Sequence, residues 1–220
     1  MRARSNSARV RQALENEIIQ GRYAPGQKLD PEELAHDHNC SRTPIREALQ
    51  QLESSGLVRV VPKRGTFVSK WSVAELAERF EAMAEMEAVC ARLAAARAQP
   101  SELTRIEALH ETCRRRAEEG DVDGYYFANS DFHGAIYRAS HNGFLAGEAA
   151  RLHAVLQPYR RMQLRVRGRV SRSFDEHDEI VSAIRAGDGE RAAVVIRDHV
   201  RIQGERFHDL VAALSEATPA

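Results

Sequence analysis

A chain of 220 residues, 43% hydrophobic and 29% charged, has room for one large or two modest domains and enough apolar side chains for a packed core, which excludes wholesale disorder. Lys/Arg and Asp/Glu balance at 32 each, yet residues 1–70 carry a net +4 and the remainder a net −4, so the first third is the part suited to a polyanion. Three cysteines (Cys40, Cys90, Cys113) without a CxxC pair argue against a disulfide framework and fit a reducing cytoplasm; no apolar run approaches the roughly 18 residues of a membrane span, and the charged N-terminus lacks the apolar stretch of a secretory signal.

In chain order, Ser7 predicts the cap of a first helix whose apolar stripe is Val10, Leu14 and Ile18, ended by Gly21. Pro25-Gly26 predicts the middle of a type II turn. Asp30, Pro31 and Glu33 read as N-cap, first helical residue and capping box of a short helix over about 31–38, with Asn39 at its end. Ser41 predicts the cap of a third helix, in which Ile45, Ala48, Leu49 and Leu52 form a buried stripe; Arg42, Arg46 and Gln50 make a row beside it. After Gly56 the period changes: Leu57–Val61, the turn Pro62-Lys63-Arg64-Gly65, and Thr66–Val68 predict a hairpin. From Ser72 only helical periodicity remains. Ser72 and Glu75 box the start of a long helix to about Arg97, Pro100-Ser101 restarts the chain, and breaks follow near Gly120, Asn142, Gly168 and Gly187. The expected fold is mostly α: a winged helix-turn-helix over 7–69 (three helices plus a β-hairpin wing) and an all-α bundle of about six helices over 72–215.

Three short helices and a wing are the parts needed to set a recognition helix in a major groove. Arg42, Thr43 and Arg46 stand where base-reading residues must stand, and Lys63 and Arg64 where a wing tip reaches phosphate or the minor groove. Periodicity alone leaves open a small helical domain with a merely solvated Arg/Lys face.

The stretches Pro25-Gly26-Gln27-Lys28-Leu29, Glu33-Leu34-Ala35, Ser41-Arg42-Thr43-Pro44-Ile45-Arg46-Glu47-Ala48-Leu49, Leu52-Glu53, Gly56-Leu57-Val58 and Pro62-Lys63-Arg64-Gly65-Thr66-Phe67-Val68 closely resemble the DNA-binding domain of the GntR family of bacterial regulators. The resemblance implies that Arg42 and Arg46 read operator DNA, that Ser41 and Thr43 assist, and that the Gly65 turn forms the wing. Glu32 departs from the pattern: some members carry an operator-contacting arginine there.

In the second part, His177 shares a stripe with Ile180, Val181 and Ile184, His199 with Val195, Ile196 and Ile202, and Asn129 lies one turn before His133. Each inward histidine alone is an ordinary core residue; three on three helices make a ligand set for Zn²⁺ or Ni²⁺. Their convergence is not readable from spacing. It is implied by a looser resemblance to the all-helical FCD effector domain of the FadR-like subgroup, carried by Glu87 with Leu93-Ala94-Ala95, Phe132-His133, Asn142, Glu176-His177, Gly187-Asp188, Ala192 and His199. Many such relatives hold a metal through a D-x3-H pair and two later histidines. Here Asn129 replaces the aspartate, leaving an uncharged oxygen and a weaker fourth ligand. Many also hold an effector carboxylate with an arginine four residues before the Glu87 position; here that residue is Met83. Arg160, Arg161, Arg169 or Arg172 are the substitutes on offer, and Tyr159 and His153 are possible pocket walls. The expected effector site is therefore Met83, Glu87, Tyr159 and Arg160. The resemblance implies a cytoplasmic homodimer without a membrane role, bound to a pseudo-palindromic double-stranded operator and released from it, as a repressor, by a small carboxylate. The alternatives are a helical interaction module without DNA binding, and a metal-dependent hydrolase built on His133, His177 and His199 with Glu176 or Asp131 as base.

Overall fold

The computed structural model describes residues 6–201, which divide into two compact units after Ser72. Ile202 and the rest of the expected domain to residue 215 lie outside the described residues.

The first unit runs α1 (Asn6–Ile19), β1 (Lys28–Leu29), α2 (Pro31–Asp37), α3 (Arg42–Ser55), β2 (Val58–Val61) and β3 (Gly65–Val68). Its core is the predicted stripes: Val10, Leu14 and Ile18 of α1 meet Ile45, Ala48, Leu49 and Leu52 of α3, closed by Leu29, Leu34, Leu57, Val58 and Val68. Helix α1 already includes Asn6, so Ser7 lies within the helix, buried, and is not its cap. Asp30 caps α2 by accepting the N–H of Glu32 at 2.8 Å. Gly56, at φ 84°, ends α3 in the left-handed conformation, and the Leu57 N–H closes the turn on the Leu52 carbonyl at 3.0 Å. The predicted turn at Pro25-Gly26 forms, with Gly26 at φ 86° and the Gln27 N–H bonded to the Ala24 carbonyl.

One strand was not expected. The sheet has three antiparallel strands in the order β1-β3-β2, with Lys28 opposite Phe67 and Val60 opposite Thr66. Strand β1 is two residues long, too short to display an alternation, and it forms because the preceding turn delivers Leu29 to the core.

The second unit is helical: α4 (Val73–Arg97), α5 (Pro100–Glu118), α6 (Val122–Ala139), α7 (Gly143–Leu164), α8 (Arg169–Arg185) and α9 (Gly189–Val200). Asp121, Asn142 and Asp188 each cap a helix by accepting an N–H three residues on. Helix α4 packs against α6, α7, α8 and α9 and is the axis of the unit. Helix α9 comes so close that a Cβ on Gly189 would meet the Arg92 carbonyl at 3.0 Å. No described helix is long and apolar enough to cross a membrane.

Candidate functional site

Two groups of the expected residues are brought together, one on a surface and one in a core. On the first unit, burying Ile45, Ala48, Leu49 and Leu52 turns Arg42, Thr43, Arg46 and Gln50 outward, and all four are exposed. Ser41 sits at the N-cap of α3, exposed, without a side-chain capping bond. The wing tip is a tight turn in which the Arg64 N–H bonds to the Val61 carbonyl at 3.0 Å and Lys63 takes the left-handed φ of 62°. Gly65 is required there: its φ is 112°, and a Cβ would come within 3.1 Å of the Lys28 stem. Strand β1 thus lays the stem of Lys28, a cation the periodicity did not single out, against Gly65 of the wing turn.

Glu32 has a role the sequence did not suggest. Its Oε1 lies 2.8 Å from Arg42 Nη1, across from α2 to α3. Arg46 has no ion-pair partner among the described residues.

The second group lies in the helical core. His133 on α6, His177 on α8 and His199 on α9 are buried, with ligand nitrogens all within 4.8 Å of one another. His177 Nε2 is 3.3 Å from His199 Nε2. Two carboxylates aim the rings. Glu87 of α4, fully buried, meets His133 Nδ1 at 2.6 Å, and Glu176 meets His199 Nδ1 at 2.6 Å. An ionised carboxylate can only accept, so each Nδ1 carries the proton and each Nε2 keeps its lone pair toward the centre.

Burial holds the His177 ring well below its usual pKa, reinforced by His199, His133, His110 and Arg169. Burial likewise keeps His133 below its ordinary value, outweighing the attraction of Glu87. Burial opposes ionisation of Glu87, but the His133 contact and the Arg160 guanidinium prevail and hold its carboxyl low. The result is a neutral His133 against an ionised Glu87, with a neutral His177 nearby.

Arg160 of α7 is buried among these groups. Its Nη2 lies 3.4 Å from His133 Nε2, and its Nη1 lies 3.7 Å from Glu87 Oε1 and 3.8 Å from Met83 Sδ. A guanidinium from another helix thus lies against the Met83 side chain. Arg169, at the start of α8, reaches Glu176 at 3.2 Å. A cavity of about 30 Å³ opens beside the histidines, with Asn129, Arg160, Arg169, Ser173 and His199 in its wall and Phe80 and Leu164 as apolar neighbours. That is room for an ion or two waters.

Of the four expected effector residues, only Arg160 lines this cavity. Met83 and Glu87 stand behind it, fully buried, and Tyr159 is buried outside its wall. Glu87 orients His133 instead of facing the cavity. His153 is also away from the cavity, against the Tyr137 hydroxyl at 3.1 Å. Glu176, considered above as a base, is taken up by His199 and Arg169, and Asp131 is exposed on the other side of its helix.

Residues 6–68 match the family described as bacterial regulatory proteins, gntR family, and residues 78–202 match the FCD domain. The HTH-type transcriptional repressor GlaR of Escherichia coli (strain K12) is 31% identical over 195 residues, covering 85% of this chain and 89% of GlaR. The HTH-type transcriptional repressor RspR of the same organism is 25% identical over 188 residues, 86% of this chain and 82% of RspR. Among solved structures, E. coli McbR/YncC superposes with a TM-score of 0.81 at 22% identity, covering 98% of this chain and all (100%) of that one. A transcriptional regulator from Rhodococcus sp. RHA1 superposes with a TM-score of 0.76 at 21% identity, covering 96% and 99%. At these identities the superpositions speak for the fold.

Proposed function

Because this chain belongs to the GntR family of bacterial transcriptional regulators, in the branch with an FCD domain, we propose that it is a dimeric repressor whose helical unit releases it from DNA on binding a small anion. The hydrolase alternative falls away: the relatives are regulators, not enzymes, and the carboxylates nearest the histidines are committed or exposed. The observation that carries the DNA reading is the outward row of Arg42, Thr43 and Arg46 at the start of α3, flanked by a wing bearing Lys63 and Arg64 around Gly65. Arginine forks suit guanine O6/N7, while the wing cations and Lys28 suit phosphate. Ser41, exposed at the same helix start, would assist. Two chains then engage half-sites about 34 Å apart.

For the helical unit, His133, His177 and His199 fit a divalent ion such as Zn²⁺ or Ni²⁺, with Asn129 one turn from His133 on the same face. The 3.3 Å between two ring nitrogens suits neighbouring ligands of one tetrahedral ion. When bound, the ion would supply a Lewis-acidic partner for an effector oxygen. Arg160 supplies the protein's own cation: its N–H now rests on His133 Nε2, so ion or anion entry must move it. Movement of α7 is then the route by which an effector favours one dimer geometry over another.

Fluorescence anisotropy with duplexes enriched from a random 40-bp library tests the first part. Wild type should enrich a two-fold-related sequence, and Arg46→Ala should lose about 1–3 kcal/mol of discrimination at one position in each half-site. Enrichment of no sequence would overturn the DNA reading. Elemental analysis of untagged protein prepared without chelator tests the second; the expected result is about one transition-metal ion per chain, lost in His177→Ala, and a metal-free wild type that no added Zn²⁺ or Ni²⁺ stabilises would overturn the metal reading.

A further inference from the structure

We infer that Glu32 is the positioning residue for Arg42 and a determinant of specificity: it keeps that guanidinium directed at a base and away from phosphate. The inference rests on the DNA-binding reading above and deepens it. Glu32 is in the first turn of α2 and Arg42 is the first residue of α3. Their side chains are 67% and 60% exposed, and their charged atoms approach to 2.8 Å. So exposed a pair contributes little to folding, and its place, on the outward face beside Thr43 and Arg46, is where DNA would dock.

Two consequences follow from the geometry. A guanidinium presents two donor edges, and one carboxylate takes one of them. The other stays available for guanine O6/N7, on a side chain that has fewer rotamers to lose when it binds. A phosphate competing for Arg42 must displace Glu32 and lie against its negative charge, whereas a base edge need not. The carboxylate thus taxes non-specific binding more than specific binding.

Glu33 supplies an internal control. It is the neighbouring acidic residue of the same helical turn and is also exposed, so it shares any effect on the helix dipole, but it makes no ion pair among the described residues.

The test measures wild type, Glu32→Gln, Glu33→Gln, Arg42→Ala and the Glu32→Gln/Arg42→Ala double variant against two probes from 50 to 200 mM KCl: the duplex that wild type enriches, and a mixed-sequence duplex of equal length. Thermal melts of each variant check folding. Glu32→Gln should bind the mixed duplex about three- to tenfold more tightly, with a salt slope steeper by about one, as Arg42 becomes a phosphate contact. The ratio of specific to non-specific affinity should fall about fivefold, and the double variant should show no steeper slope than Arg42→Ala alone. Glu33→Gln should move both probes together and leave the ratio unchanged. If Glu32→Gln behaves like Glu33→Gln, or like wild type, the inference is wrong while the DNA reading stands. If wild type itself does not distinguish the two duplexes, the DNA reading fails and the inference with it.

Discussion

The two units use their interiors in opposite ways. In the first, apolar side chains make the core, the buried polar residues are the small hydroxyls Ser7, Thr66 and Ser69, and the residues proposed to act, Arg42, Thr43, Arg46, Lys63 and Arg64, stand outside it in solvent. In the second, the residues proposed to act are themselves interior: Glu87, Asn129, His133, Arg160, His177 and His199 are all buried, on four packed helices and the axial α4. Where the acting groups lie outside the core, recognition can change without touching stability. Where they are the core, each change in the site is also a change in folding, and a bound ion or anion acts on the same contacts that hold the helices together.

The sharpest way to break that contrast is Glu87→Ala. It strips the His133 Nδ1–H of its acceptor and leaves the Arg160 guanidinium beside buried groups without the carboxylate at 3.7 Å. Removing one partner from a buried charged network costs about 3–5 kcal/mol, so urea unfolding of the full chain should show the helical transition displaced by that amount. A loss below about 1 kcal/mol would mean that the site is not part of the fold's stability. Arg46→Ala is the matching change in the first unit. Its unfolding free energy should move by no more than about 0.5 kcal/mol, although the same substitution should relax base preference. A destabilisation comparable to that of Glu87→Ala would erase the distinction between the units.

Acid should separate the units next. His177, His153 and His133 are held below the ordinary value of 6.5 by burial. Above that value these rings are neutral both folded and unfolded. As the pH falls below it, the unfolded chain takes up protons that the folded rings refuse, so stability is lost with falling pH until each folded pKa is passed. Each ring costs about 1.4 kcal/mol per pH unit across its window. Melts of chelator-stripped protein recorded from pH 8 to pH 5 should therefore show the helical unit weakening below about pH 6.5, and His177→Leu should make that weakening shallower. An unchanged slope in the variant would remove His177 from the account.

The contrast also explains what could be read from the sequence. Periodicity marked the α3 stripe, and short-range chemistry marked the ends: Asp30, Gly56, Gly120, Asn142 and Gly187 all act within a few residues of themselves. The outward arginines followed, because an exposed face is what remains when a stripe is buried. The site in the helical unit depends on pairs distant in sequence: Glu87 with His133, Glu176 with His199, Arg160 with Met83. A helical period says which way a side chain points within its own helix and nothing of which helix it meets. Spacing showed three inward histidines, but their common centre was supplied by family resemblance, and the burial of Arg160 was not indicated by either. The Glu32–Arg42 pair was hidden for the same reason, and β1 because two residues carry no period.

The smallest expected effect concerns the two caps of the first unit. Asp30 and Ser41 look alike in the sequence, each a short polar residue before a helix. In the structure Asp30 accepts the Glu32 N–H, while the Ser41 side chain makes no capping bond. Asp30→Ala should therefore cost about 1 kcal/mol, and Ser41→Ala only a few tenths, about what loss of a surface hydroxyl costs. If Ser41 is kept for DNA instead, its substitution should weaken binding to the enriched duplex while the melting temperature holds. Equal stability losses for the two alanine variants would return Ser41 to an ordinary N-cap and leave Thr43, Arg42 and Arg46 as the reading residues of α3.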